Sequence, residues 1–472
     1  YVLFDGAAIQ FLDDSGRVQG AFEGVQIGGA GKEEVPRMTS SNDAVDDVIR
    51  EIAASILQFA PEQLDMRASL YEYGFDSISL TRFAGAINER FGTAITPATF
   101  FACENLAALR QHVGGAPAVR PSAVEKKRAA DGVAIIGMAA RLPGSANADE
   151  FFEHLLQAHD LVGTFPYERY TGAYRKRLES AAFPKFGGFL TDIDRFDAAF
   201  FKVSPAEAER MDPQHRLLLE SAWNAIAGAG YRPDELPKDL GVFVGITGHD
   251  YASLLQAHGV EQDGFAATGN SLAMAANRIS HFLNVHGPSQ SVDTACSSSL
   301  VALLRAAEAI RAGQCSAALV GGVNLALSAE GFEGPHQAGM LSPDGRSRAF
   351  AKDANGYVRG EGVVVLLVKR LSDADRDGDR ILGVLIGGAE NHGGRAGSLT
   401  APNPNAQAEL VQRAMQGIDP QSIGYLEAHG TGTNLGDPVE VNGLRQAYSQ
   451  LCGGVARTPW IGLGSVKSNI GH

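Results

Sequence analysis

Cys296 stands in the run Ser291-Val292-Asp293-Thr294-Ala295-Cys296-Ser297-Ser298-Ser299-Leu300, whose residue types suit a sulfur nucleophile. Ser289 to Thr294 reads as a β-like approach, and a string of small residues follows. Leu300, Val301, Leu303, Leu304 and Ile310 then recur over successive helical turns until Gly313 offers a stop. This order puts Cys296 where a strand turns into a helix N-terminus, beside unpaired N–H groups that carry partial positive charge. Such a field favours the thiolate, which is the reactive form. The same N–H groups could hold a developing oxyanion once a thioester is attacked. The competing reading is a buried cysteine acting as a small hydrophobe, the commoner fate of this residue. Two further stretches weigh against it: Glu427-Ala428-His429-Gly430-Thr431-Gly432-Thr433 and Lys467-Ser468-Asn469-Ile470-Gly471-His472. Each carries a histidine in a small-residue loop, where glycine permits close backbone approach and threonine hydroxyls can bond a ligand. One such histidine is usually an ordinary polar residue; three capable stretches in one chain point to a common site.

On these motifs the chain resembles the β-ketoacyl synthase (ketosynthase) domain of modular polyketide synthases. The likeness runs from Val133-Ala134-Ile135-Ile136-Gly137-Met138 to the last residue. It includes Phe196-Asp197-Ala198-Ala199-Phe200-Phe201, Met211-Asp212-Pro213-Gln214-His215-Arg216 and Arg359-Gly360-Glu361-Gly362. The resemblance implies a thiolase fold, two related halves stacked as five alternating layers, α-β-α-β-α. It also implies a decarboxylative Claisen condensation that extends a polyketide chain. Cys296 would take the acyl group, and His429 and His472 would stabilise the enolate of a malonyl-type extender. Thr431 and Thr433 match the family's pantetheine-contacting threonines. Lys467 would order the site by ion pairing, with Glu361 as one candidate partner. No metal is called for, and Gly387-Gly388 and Gly393-Gly394 lack the Gly-Lys-Ser/Thr of a phosphate cradle. Two departures stand out. Asn391-His392-Gly393-Gly394 lacks the acid the family usually places before the glycine, and the chain closes at His472, before the family's last strands, so the C-terminal part of the fold is expected to be missing.

The helical stretch ahead of this region carries a second motif, Gly74-Phe75-Asp76-Ser77-Ile78. A serine after aspartate at a helix start is by default a cap. The stretch nevertheless resembles the attachment motif of acyl carrier proteins, which implies phosphopantetheine bound covalently to Ser77. Val45, Val48, Ile49, Ile52, Ile56 and Leu57 follow the 3-4 spacing of an amphipathic helix opened by Ser41, Asn42 or Asp43. A second helix is predicted from the Ser77 motif to about Phe91, with short ones around Pro97–Phe101 and Asn105–His112. Together they form a small four-helix bundle. The chain is therefore read as multidomain: residues 1–40 as the tail of an upstream, dehydratase-like hotdog domain, with a hairpin near Asp14-Ser15-Gly16, plus linker; 41–115 as carrier; 116–131 as linker; and 132–472 as ketosynthase. In the last of these, Val133–Gly137, Gly241–Gly245, Ala317–Ala326, Gly362–Val368, Ile381–Gly388, Gly424–Leu426 and Ile461–Val466 read as strands alternating with helices, an α/β pattern with buried sheets.

Composition agrees with this organisation. The chain has 472 residues, 44% of them hydrophobic, and a net charge of -14. The basic run Lys126-Lys127-Arg128 lies in the linker, and no nucleic-acid footprint is expected. No apolar run is long enough to span a membrane, and the N-terminus lacks both a signal segment and an initiator Met, as a piece of something longer would. Cys103, Cys296, Cys315 and Cys452 form no C-x-x-C pair, which argues against structural zinc and disulfides and for a reducing cytoplasm. The resemblance implies acyl and malonyl-type thioesters on carrier proteins as substrates. It also implies a phosphopantetheinyl transferase, an acyltransferase and neighbouring synthase domains as partners, and a two-fold homodimer. A non-elongating, acyl-passing ketosynthase and a Cys-His thioester hydrolase are the alternatives. The first typically lacks the histidine that is present here as His429.

Overall fold

The computed structural model describes residues 42–57, 59–68, 73, 77–93, 95, 105–110, 132–261, 263–394, 401–452 and 461–472. The predicted N-terminal hairpin, both linkers and the helix around Pro97–Phe101 lie outside the described residues. The described residues belong to two compact units, a small one before residue 122 and a large one after it.

In the small unit, the apolar spacing read above produces the helix Asn42–Leu57, and a second helix runs Ser77–Phe91. Ile49, Ala53 and Ala54 of the first meet Phe83, Ala84 and Ile87 of the second, all buried, with Leu64, Met66, Ile95, Leu106 and Leu109 closing the cluster. Asn88 ties the end of the second helix to the following chain: its Oδ1 accepts from the Ile95 amide and its Nδ2 donates to the Ile95 carbonyl, both at 2.6 Å. Of the helix predicted over Asn105–His112, the described residues show a 3-10 turn over Leu106–Leu109 that runs into helical Arg110. That tighter geometry sets positions i and i+3 in line, so both leucines reach the core.

Among its described residues the large unit has eleven strands: β1 (Val133–Arg141), β2 (Gly163–Thr164), β3 (Phe186–Gly188), β4 (Gly241–Gly245), β5 (Ser289–Val292), β6 (Ala317–Asn324), β7 (Arg359–Gly360), β8 (Gly362–Arg370), β9 (Gly383–Leu385), β10 (Tyr425–Glu427) and β11 (Gly462–Gly464). Six form one mixed sheet in the order β5-β4-β6-β8-β1-β9. The β5, β4 and β6 strands run parallel, and β6, β8, β1 and β9 alternate in direction. Side chains on successive residues take opposite faces. Ala134, Ile136, Val242, Val244, Leu319 and Val365 therefore pack with the helices Pro213–Gly228 and Ala273–Leu283. Val133, Ile135, Phe243, Ala318 and Val320 pack instead with Ala302, Leu303, Ala306 and Ile310 of the helix Ser298–Arg311. The sheet is thus apolar on both faces, which is why its strands read as near-continuous hydrophobic runs.

Beyond that sheet, β10 pairs in parallel with β11, and the helices Pro404–Ala414 and Gly436–Leu451 pack together, with Met415, Leu426 and Tyr448 buried in a cluster of their own. The three-stranded set β2-β3-β7 is absent from the sequence reading. Its strands are two or three residues long and glycine-rich, too short to show periodicity.

Candidate active site

The strand-to-helix turn expected around Cys296 is present. β5 ends at Val292 and the helix begins at Ser298, with Ser297 as its cap. Ala295 takes a left-handed φ of 56°, unusual for a residue with a side chain, which folds the chain back just before Cys296. Ser298 Oγ locks the turn by donating to the Ala295 carbonyl at 2.6 Å and accepting from the Thr294 amide at 2.9 Å. Asp293 Oδ1 accepts from the Ala295 amide and from Thr247 Oγ1, each at 3.1 Å. A Cβ at Gly245 would lie 2.5 Å from the Ser299 nitrogen, so only glycine on β4 lets this helix start seat against the sheet. Cys296 itself is exposed. The N–H groups of Ser297 and Ser298 donate to the Thr294 and Ala295 carbonyls, so two of the donors that sequence reading offered to an oxyanion are taken up within the turn.

His429 follows the end of β10. Its amide and that of Gly430 donate to the two carboxylate oxygens of Glu440, at 2.7 and 2.9 Å. Gly430 and Gly432 both have positive φ, 44° and 74°, and a Cβ on either would strike Ser465 or the Arg348 backbone. Asp437, buried at 4% exposure, receives the amides of Gly432 and Phe350. Thr431 and Thr433 stand in this loop with their hydroxyls 3.1 Å apart. His472 ends the other loop, held by its amide to the Val358 carbonyl and by its carbonyl from the Gly360 amide, both at 2.6 Å. Glu427 joins the two loops: Oε1 accepts from the Val466 amide, just before Lys467, and Oε2 from the Tyr425 hydroxyl, each at 2.8 Å.

These elements bring the three predicted groups together. The Cys296 sulfur and a ring nitrogen of each of His429 and His472 all lie within 4.8 Å of one another. The two imidazole rings meet edge to face, 5.1 Å between centroids at 89°. Burial, aided by His429, Lys467 and Arg359, depresses the pKa of His472 to about 3. His429 is lowered in the same direction by the surrounding protein and then by Lys467, against Glu440 and Asp437. Both rings are therefore neutral near pH 7. Lys467 is lowered by burial, a tendency opposed by Glu427, Glu440, Cys296 and Asp437. Burial raises the pKa of Glu427.

One expected pairing is corrected. Glu361 does not neutralise Lys467; its side chain is fully buried and gripped by Arg169, whose two guanidinium nitrogens reach Oε1 and Oε2 at 2.8 Å. The amides of Leu190 and Ala326 complete that shell at 2.9 and 3.1 Å. The charges acting on Lys467 are instead those of Glu427 and Glu440 first. Glu440, Asp437 and Arg169 went unnoticed in sequence reading. The acids following the Gly-Thr-Gly-Thr loop, in Gly436-Asp437-Pro438-Val439-Glu440, were the available signal. Ser77, the expected attachment residue, is the first residue of the helix Ser77–Phe91 in the small unit.

The chain is also similar to known proteins. The family model for the beta-ketoacyl synthase N-terminal domain matches residues 130–374, and that for its C-terminal domain matches 382–472. The model for the phosphopantetheine attachment site matches residues 47–113. The chain is 39% identical over 486 residues to polyketide synthase PksN of Bacillus subtilis, covering 92% of this chain and 9% of that protein. With PksM of the same organism it is 41% identical over 455 residues, covering 91% of this chain and 11% of that protein. It thus spans about a tenth of the length of these relatives. Among solved structures, the ketosynthase from module 6 of the bacillaene synthase of Bacillus subtilis superposes with a TM-score of 0.66 at 41% identity, covering 72% of this chain and 58% of that one. The Streptomyces albus oxazolomycin ketosynthase domain OzmH gives a TM-score of 0.67 at 40% identity, covering 72% and 60%.

Proposed function

This chain belongs to the β-ketoacyl synthase family and carries a phosphopantetheine attachment domain as well, and on that premise we propose that it extends polyketide chains by decarboxylative condensation. The observation that carries this reading is the convergence of Cys296, His429 and His472 within 4.8 Å. The Cys296 thiolate attacks the carbonyl of an acyl thioester, and the carrier thiol leaves, which puts the acyl group on sulfur. A malonyl-type thioester then loses carbon dioxide. The resulting enolate carbon attacks the acyl carbonyl and Cys296 departs as thiolate. The neutral imidazoles of His429 and His472 hold the enolate oxygen as it gains charge; losing one such donor typically costs about 10²- to 10³-fold in rate. Thr431 and Thr433 bind the extended arm of the incoming thioester, and Lys467 sets the field around both rings. Glu361, clamped by Arg169, supports the fold beneath.

We further assign residues 41–115 to the carrier, as a four-helix bundle, 116–131 to a linker and 132–472 to the ketosynthase. Phosphopantetheine on Ser77 would supply a flexible arm ending in a thiol. Acyl and malonyl-type thioesters, a phosphopantetheinyl transferase, an acyltransferase and adjoining synthase domains are the proposed partners, with a homodimer as the working unit. No helix among the described residues is long and apolar enough to cross a membrane. The free thiols of Cys296, Cys315 and Cys452 support a reducing, cytoplasmic setting. Intact-protein mass spectrometry tests the assignment. Coenzyme A with a phosphopantetheinyl transferase should load Ser77, and an acyl thioester should load Cys296. Arm transfer to a Ser77→Ala variant, or acylation of a Cys296→Ala variant, would refute the corresponding role.

A further inference from the structure

We propose that Cys296, His429 and His472 also constitute a three-ligand site for a soft divalent cation such as zinc, whose binding reversibly silences the pocket. A cysteine sulfur and two imidazole nitrogens form a ligand set suited to zinc. Three protein ligands with a fourth position left for water is the usual arrangement of an open zinc site. Among the described residues no other group of three His, Cys, Asp or Glu side chains brings its ligand atoms so close. A tetrahedral zinc with bonds of about 2.0 to 2.3 Å needs its ligand atoms about 3.3 to 3.6 Å apart, so a present spacing of up to 4.8 Å must close by up to about 1.2 to 1.5 Å. Side-chain rotation can supply that, because Cys296 and His429 are both exposed.

The charge balance also permits a dication. Lys467 and Arg359 are the nearby cations, but Glu427, Glu440 and Asp437 act on Lys467 from the same surroundings, so three carboxylates stand against two cations. On binding, the sulfur–metal bond forms as the thiol proton passes to solvent, and each imidazole donates a ring lone pair; nothing is oxidised or reduced. The bound metal would mask the nucleophile needed for acylation and both donors needed for decarboxylation. A group already acylated on Cys296 would exclude the metal. Free enzyme would therefore be metal-sensitive and acyl-enzyme protected.

This inference uses the same three side chains as the proposed condensation but does not require that reaction. The test is titration of the full chain with cobalt(II) alone, followed by its absorption spectrum and by equilibrium dialysis. We expect one ion per chain with the charge-transfer band of a thiolate ligand. Affinity should fall at least about tenfold in His472→Ala, in line with the sensitivity of metal sites to disturbed ligation. The band should vanish in Cys296→Ser, persist in Cys452→Ser, and vanish after acylation of Cys296 by an acyl thioester. Absence of the band from the unmodified chain, or its survival in Cys296→Ser, would overturn the proposal. The mass of the acylated chain is read in parallel: acylation without metal binding removes only the metal site, and metal binding without acylation removes only the condensation reading.

Discussion

Glu427 is the residue whose removal should separate the two half-reactions. Its carboxylate spans the loops that carry His429 and His472, taking the Val466 amide and the Tyr425 hydroxyl at 2.8 Å each. A hydrogen bond to a charged group contributes about 1.5 to 3 kcal/mol. The His472 loop keeps its other anchors, the pair of 2.6 Å bonds to Val358 and Gly360, so Glu427→Ala should lose roughly one such bond's worth of positioning. That corresponds to about 10- to 150-fold in a step that depends on the placement of both imidazoles. Cys296, locked separately by Ser298 and Asp293, should be acylated within about threefold of the normal rate. The assay follows acyl transfer to Cys296 by intact mass and carbon dioxide release from a malonyl thioester with the same preparation. Glu427→Gln, which keeps an oxygen for the Val466 amide, should recover most of the loss. Acylation falling in step with decarboxylation, or decarboxylation left unchanged by Glu427→Ala, would refute the reasoning.

Three other outcomes follow from the structure. His215 is 1% exposed, its ring nitrogens have no hydrogen-bond partner among the described residues, and burial, with Arg278, lowers its pKa to about 3. Below its unfolded value of 6.5 the unfolded chain takes up a proton that the folded chain refuses, so this residue drains stability as pH falls from 6.5 towards 3, by about 3 kcal/mol at pH 4. His215→Leu should therefore lose about that much less stability than the parent between pH 7 and pH 4 in denaturant titrations; equal losses would count against it. Glu361→Ala leaves the largely covered Arg169 guanidinium without its carboxylate and should cost about 3 to 5 kcal/mol in the same measurement, whereas a cost below 1 kcal/mol would contradict the pairing. Gly245→Ala drives a methyl into the start of the Ser298–Arg311 helix and should cost about 1 to 3 kcal/mol. It should also slow Cys296 acylation at least about tenfold, while Gly264→Ala, with open space around it, leaves both alone.

The order of elements was legible wherever a local period ran long enough to show itself. The helix after Cys296 carried its apolar spacing openly and ends as expected near Gly313. The strand Gly241–Gly245 matches its apolar run residue for residue. The two-residue strands around Gly163 and Arg359 have no period to read and arise only because the folded sheet brings them alongside β3. The same limit produced the mistaken partner for Glu361: Arg169 lies 192 residues away in sequence, and no spacing rule connects them.

The sequence by itself therefore determined the chemical inventory: a cysteine at a helix start, two histidine loops, and a serine heading a carrier helix. Each depends on interactions within a few residues, where capping, glycine conformation and side-chain period act directly. Only the tertiary structure decided that Cys296, His429 and His472 converge within 4.8 Å, that Glu427 and Glu440 hold the neighbouring loops, and that both imidazoles stay neutral. Those properties come from packing and desolvation among segments far apart in the chain, and only the assembled sheets and helices bring such segments together.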